Sequence, residues 1–489
     1  MNVANMNDVA LLWPELILVG TALALILAAR RIQQARVAVA ATVLAALAAA
    51  VASVWLLSWG DKTKTGFGFE DSPMMIVDGY SQFFKVLIAS ALALVALLSQ
   101  RRIDSERVRP AEYHALLLLA STGMMFAASA LDLLTLYLGL ELTTLCSYIL
   151  VGITVGKPLA NEAAIKYFLL GSFASAILLY GIALTYGVTG TTQFTAIASA
   201  ISENGLESNQ ILLAAISLLA AGLAFKIAAF PFHAWAPDAY QGASAPVAAF
   251  LATASKAAGL AALGRVCLVA FAADATVLPV VLAGLAALSI IVGSLLAISQ
   301  TDMKRLLAYS SIAHVGYALL GFVSATSESA TSESGTPEGV SATMIYVFLY
   351  VFMTLGAFGV VIALGERGES LNGYQGLAAQ RPRTAALMLL FLLSLTGIPP
   401  TAGFVAKFVV IQSVVSTGHW ALAILAVVCS VISAFVYLRV VVLMYMKEPQ
   451  EPEPASCPWT VAAALAVAAL VTVIGGILPG SLTLWAVAP

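Results

Sequence analysis

Residues 221–256 read AGLAFKIAAFPFHAWAPDAYQGASAPVAAFLATASK. Two lysines, Lys226 and Lys256, lie in runs so apolar that both belong at membrane depth, and Pro231 follows the first by about one turn. A proline inside a helix removes one backbone donor and pushes away the carbonyl four residues earlier, here that of Ile227. Lys226 is therefore expected beside a helix break. A charge in hydrocarbon costs roughly 3 kcal/mol on insertion scales, so intramembrane lysines usually face a hydrated interior and mark an ion path.

The rest of the chain supplies that membrane. Of 489 residues, 61% are hydrophobic and 10% charged, with mean hydropathy +0.97, whereas soluble proteins carry about 25% charged residues. The expected fold class is an all-α integral membrane protein. A net charge of -2 without a basic run excludes nucleic acid as a partner. Cys146, Cys267, Cys429 and Cys457 form no CxxC pair, against a disulfide framework, zinc or iron-sulfur ligation, so no metal or redox cofactor is expected here. The first apolar run, 11–29, is followed by Arg30 and Arg31 and preceded by no positive residue. That polarity is opposite to a secretory signal and predicts a retained first helix.

A hydrocarbon layer of ~30 Å needs about 20 apolar residues per crossing, and the runs predict about fourteen transmembrane helices: 11–29, 37–58, 82–99, 113–130, 133–155, 163–187, 210–240, 245–271, 277–298, 304–323, 341–364, 384–415, 420–446 and 458–478. Loops after odd-numbered helices hold fourteen lysines and arginines, from Arg30 to Lys447, and loops after even-numbered ones hold Lys62 and Lys64 alone. By the positive-inside rule both termini face the outer side of a bacterial plasma membrane. The Ser/Thr/Glu stretch 324–341 reads as a flexible external loop.

Segments 210–240 and 384–415 exceed the length a crossing needs. The first holds Pro231 and Lys226, the second Pro399, Pro400 and Lys407. They are helices 7 and 12, five apart, and an odd number of helices per unit inverts the second copy. The expected domains are 1–112 (helices 1–3), 113–271 (first five-helix repeat), 272–446 (inverted repeat) and 447–489 (helix 14). Inverted repeats with matching broken helices point to an ion path near the midplane, and backbone freed at such breaks is tolerated only where it lines a buried or hydrated cavity.

Glu141, in LTLYLGLELTTLCSY, is the one acidic residue expected near a helix centre, where a carboxylate keeps its charge only beside an ammonium. Lys166 lies little more than a turn inside helix 6, with Asn161 as the expected N-cap, and either snorkels or joins the buried lysines. Burial favours a neutral amine and a neighbouring carboxylate favours the ammonium, so a row of lysines with one glutamate can load and release protons. His233 and His314 are candidates for relay or for packing. His114 and His419 are expected near the membrane surfaces without a role. Lys85 is expected to snorkel from a helix end; Arg265 and Arg439 either snorkel or pair.

FKIAAFPFHAWAPDAYQGASAPVAAFLATASK from Phe225, SQTDMKRLLAYSSIAHVGY from Ser299 and TGIPPTAGFVAKF from Thr396 resemble the antiporter-like membrane subunits of respiratory complex I, and within that family the subunit N branch. YQGASAP after the first break, and Lys407 where another branch has glutamate, favour that branch; Ser244 departs from the more usual APAP pattern. The resemblance implies fourteen helices, inverted repeats, discontinuous helices 7 and 12, and proton pumping coupled to quinone reduction in other subunits. NADH, FMN, iron-sulfur clusters and quinone would belong to those subunits, and partners would be antiporter-like and small membrane-arm subunits and the lipid bilayer. Glu141 resembles the family's glutamate on helix 5, Lys226 its partner on helix 7, Lys256 the central lysine on helix 8, Lys407 the terminal one on helix 12, and Lys166 the additional lysine on helix 6. Two other readings stand beside this one: a subunit of a multi-chain cation/proton antiporter, and a scaffold of the membrane arm that moves no protons.

Overall fold

The computed structural model describes residues 9–58, 64–69, 72–106, 108–272, 277–328, 338–449 and 458–480. The chain runs through α1 (Trp13–Leu27), α2 (Ala35–Ser58), the strands β1 (Lys64–Phe69) and β2 (Ser72–Val77), α3 (Gly79–Glu106), α4 (Pro110–Ser129), α5 (Leu133–Val151), α6 (Pro158–Thr189) and α7 (Phe194–Glu203). It continues through α8 (Gln210–Ile227), α9 (Trp235–Gly242) and a continuous helix α10 (Ala245–Ala270), then α11 (Leu278–Ile298), α12 (Met303–Glu328) and α13 (Glu338–Leu364). α14 (Pro382–Thr396), α15 (Ala402–Ser416), α16 (Trp420–Met446) and α17 (Trp459–Ile477) complete it. Eleven helices among the described residues are long and apolar enough to cross a membrane, and α1, α14 and α15 are shorter apolar helices. The protein is mostly helical and integral to the membrane.

Several expectations need correction. The all-α class holds for the membrane bundle, with one added hairpin in which β1 and β2 pair antiparallel, Lys64 opposite Val77. α6 begins at Pro158, so Asn161 lies inside the helix and Lys157 takes the capping position; the fixed φ of proline suits the first helical turn. Ser324 to Glu328 continue α12 and Glu338 to Ser341 belong to α13, so the stretch 324–341 is not all loop. Ser324 is buried and its hydroxyl donates to the Ser413 carbonyl at 2.8 Å. Residues 329–337, Lys62, Arg107 and Cys457 lie outside the described residues.

The two long segments are broken where proline demanded it. α8 ends at Ile227, Ala228 adopts φ 56°, and helix resumes at Trp235 as α9. α14 ends at Thr396, Gly397 adopts φ +88°, and helix resumes at Ala402 as α15. Helix thus stops before Pro231 and Pro399, because the residue preceding a proline is driven out of the helical region. A left-handed residue then turns the chain, which glycine allows freely and alanine only with strain. α8 packs along α6, and both α14 and α15 pack along α13, so each broken segment is braced by the long helix that precedes it.

Candidate functional site

The first cluster forms where α5, α6 and the end of α8 meet. Lys226 Nζ lies 3.0 Å from Glu141 Oε1, 3.2 Å from Thr144 Oγ1 and 3.1 Å from Ser175 Oγ. Ser175 also donates to the Glu141 carboxylate at 2.5 Å. Lys226 sits in the last turn of α8, where unpaired carbonyls and the helix dipole favour a cation. Desolvating both ions is expensive, and attraction recovers that cost only when hydrogen bonds satisfy the remaining valences. The Thr144 and Ser175 hydroxyls supply them, and both lie on helix faces that the apolar pattern alone does not distinguish.

Lys256 occupies the middle of α10, directly after the π-helical turn Leu251–Ser255. Such turns free a carbonyl from the regular ladder, and here Tyr350 donates its hydroxyl to the Ala252 carbonyl at 2.9 Å. The Lys256 ammonium, in a side chain 1% exposed, donates to Ser311 Oγ at 2.7 Å. Ser311, His314 and Tyr317 follow one another at intervals of three on α12 and so share a face. His314 Nδ1 lies 2.6 Å from the Tyr346 hydroxyl, and its ring packs on Tyr350 and Tyr317 with centroids 5.2 and 6.1 Å apart. Tyr317 stacks on Tyr346 and lies under the Lys407 ammonium, 4.9 Å from ring centre to Nζ.

Lys407, one turn into α15, donates to the Thr396 carbonyl and to Ser430 Oγ, both at 2.8 Å. Thr396 ends α14, so this amine neutralises the carbonyl end of the first half of a broken helix. A side chain at Gly397 would place Cβ 2.9 Å from Lys407 Cδ. Close approach and positive φ therefore both require glycine there.

Lys256, His314 and Lys407 thus lie along one buried polar seam, and Glu141 with Lys226 forms its other cluster. α10 ties the two: a Cβ on Gly259, three residues past Lys256, would meet Ile227 Cγ2 at 2.7 Å. Lys166 is not part of the seam. Its side chain is 47% exposed and pairs with Glu162 at 2.7 Å and Asp238 at 3.1 Å, and Asp238 also accepts from Arg305 at 2.6 Å. His233, half-buried, lies in the first break against Phe230 with centroids 5.3 Å apart. Pro231, Pro399 and Pro400 are exposed within the breaks. Ser311, Tyr346, Tyr350 and Tyr317 were missed, although the SxxHxxY spacing on one helical face was a readable signal.

Among the other ionisable groups, one departs from expectation. Lys85 does not snorkel: it is fully buried and meets Glu15, in the first turn of α1, at 2.6 Å. Arg265 pairs with Asp78 at 2.6 Å and 2.9 Å through two nitrogens. Burial alone would raise the Asp78 carboxyl, but the Arg265 charge and hydrogen bonds, with those from Ser81, hold it below its ordinary 3.8. Arg439 donates to the carbonyls of Ile298 and Gln300 at 2.7 and 2.6 Å, which are the exposed end of α11 and its following loop. His114, near the start of α4, is packed inside the bundle with Nδ1 3.0 Å from Thr42 Oγ1. His419 stays near a helix end beside Thr417.

Residues 130–433 match the family described as NADH:quinone oxidoreductase/Mrp antiporter, TM. A protein named NADH-quinone oxidoreductase subunit N from Desulfovibrio desulfuricans is 42% identical over 98% of this chain and 96% of its own length. A chain in the structure of respiratory complex I from Thermus thermophilus with bound aureothin is 34% identical, with TM-score 0.80 over 97% of this chain and 100% of that one. A chain of the Mrp complex from Dietzia sp. superposes with TM-score 0.85 over 97% of this chain and 96% of its own, at 24% identity, and shows the shared fold alone. The resemblance read from the Phe225, Ser299 and Thr396 motifs is borne out: the chain belongs to the NADH:quinone oxidoreductase/Mrp antiporter transmembrane family, among the proteins named NADH-quinone oxidoreductase subunit N.

Proposed function

We propose that this chain is a proton-translocating membrane subunit of a bacterial respiratory NADH:quinone oxidoreductase, contributing translocase activity to the complex and no redox step of its own. NADH, FMN, iron-sulfur clusters and quinone are assigned to other chains, and the partners are neighbouring antiporter-like and small membrane-arm subunits within the inner membrane. The observation that carries this is the buried polar seam from Glu141 and Lys226 through Lys256, Ser311 and His314 to Lys407. An oily bundle has no use for that many desolvated polar groups unless they transport charge.

In this reading the chain crosses the membrane fourteen times, with both termini outside, and helices 4–8 and 9–13 are inverted copies. The support is that the broken segments lie at matching positions, each against its preceding helix, with a lysine at the carbonyl end of each first half. A charge change arriving from a neighbouring subunit draws Glu141 away from Lys226. An ammonium deprived of its carboxylate in a low-dielectric site gives up its proton more readily. That proton passes to Lys256 and, by way of the Ser311, His314 and Tyr346 hydroxyl and imidazole groups, to Lys407, which releases it outward or to an adjoining subunit. Lys166 is assigned an auxiliary place at the surface beside Asp238, and His233 a place in the hydrated first break. The test is Lys226→Met in membrane vesicles: quinone reduction with wild-type proton stoichiometry would show the reading to be wrong.

A further inference from the structure

A second buried carboxylate and ammonium lie outside the seam and outside the matched residues 130–433. Glu15 is in the first turn of α1 and Lys85 six residues into α3, and their side chains, 1% and 0% exposed, approach to 2.6 Å. Around Glu141 and Lys226, two hydroxyls complete the hydrogen bonding. Here they do not: among the described residues, neither Glu15 oxygen nor the Lys85 nitrogen has an aligned hydrogen-bond partner. Gln82, three residues earlier and on the same face of α3 as Lys85, is buried with its Oε1 also unpartnered.

Such a pair is a poor stabiliser. Desolvation of two ions exceeds their attraction unless the remaining valences are satisfied, and a pair of apolar side chains of similar volume does as well or better. Buried polar atoms without protein partners are where ordered water is held, typically through about three hydrogen bonds. Both residues lie near the starts of helices that begin on one side of the membrane, Lys85 at a depth of about 9 Å by helical rise. The other ionisable groups on the elements around them are engaged or distant. Asp78, Tyr80 and Arg265 at the head of α3 are bonded among themselves and to backbone. On α10 Lys256 is bonded to Ser311, and on α13 Tyr350 to Ala252. Arg36 of α2 and Glu112, Tyr113 and His114 of α4 sit in the first turns of helices that start from the opposite side.

We propose that Glu15 and Lys85 form a further protonatable site, exchanging one proton through ordered water at Gln82 with the side of the membrane on which α1 begins. In the unloaded state the pair is carboxylate and ammonium. Loading places a proton from water on a Glu15 oxygen, giving a carboxylic acid beside the ammonium and one net positive charge; release returns that proton to water. The inference rests on the proton-translocating reading above, whose outer side is the side of α1's start.

The assembled complex in membrane vesicles tests it, with protons moved per electron as the readout. Glu15→Gln is expected to lower that ratio while NADH oxidation continues. Glu15→Leu combined with Lys85→Leu removes both charges at little structural cost and decides the matter should the single variant fail to assemble; it too is expected to lower the ratio. A wild-type ratio in either variant overturns the proposal and leaves the pair as a structural contact. Lys226→Met measured alongside separates the two claims: loss of pumping there, with Glu15→Gln unaffected, sinks this site alone, whereas unchanged pumping in Lys226→Met sinks the reading on which it rests.

Discussion

Ser311→Ala isolates one link in the seam without touching a charged residue. The Ser311 hydroxyl, 2.7 Å away, is the one hydrogen-bond partner of the Lys256 ammonium among the described residues. Hydrogen bonds to charged groups are worth about 1.5–3 kcal/mol, and a buried donor left unmade costs the full desolvation penalty. Since about 1.4 kcal/mol is tenfold in rate, the step in which Lys256 holds a proton should slow by roughly tenfold to a hundredfold. Alanine removes only the hydroxyl oxygen, so fold and assembly should survive, the lost bond to Ala308 being one that a helical serine makes to its own backbone. The assay is NADH-driven proton uptake in inverted vesicles, read both as rate and as protons per electron, against NADH oxidation by the same preparation. Wild-type uptake in an assembled Ser311→Ala complex would refute the claim that Lys256 communicates with α12 through this hydroxyl.

Four further outcomes are expected. Gly397→Ala forces a left-handed alanine, about 1–2 kcal/mol, and a Cβ into contact with Lys407 Cδ; pumping should fall together with thermal stability, and an unaltered melting temperature with normal pumping would contradict the close approach. Arg265→Ala strands the part-buried Asp78 carboxylate, a loss of about 3 kcal/mol at the low end for breaking an enclosed ion pair, seen as reduced complex in membranes, with Arg265→Lys recovering part of it. Because the Asp78 carboxyl is held below its ordinary 3.8 by Arg265, its folded pKa is depressed: the stabilisation is present above pH 3.8 and is lost as pH falls below it, so the wild type should lose thermal stability there more steeply than Arg265→Ala. Lys166→Met should impair pumping less than Lys226→Met and leave stability within about 1 kcal/mol, as for exposed ion pairs; equal impairment would place Lys166 on the main route.

The sequence by itself determined what lies at membrane depth and where helices break. Hydropathy is a property of each segment, and Pro231, Pro399 and Pro400 act on their own backbone, so the ends of α8 and α14 needed no partner to be read. The lysines at 226, 256 and 407 stood out because charge in an apolar run costs energy wherever the run packs. What only the tertiary structure decided was who meets whom. Lys85 and Lys166 gave one signal, a lysine near the end of an apolar helix, and met opposite fates: one is sealed against Glu15, seventy residues away in sequence, and the other sits half-exposed between Glu162 and Asp238. Helical faces are set by packing between distant segments, and a hydrogen bond such as Lys256 to Ser311 or His314 to Tyr346 exists only once two helices have chosen their rotation about one another.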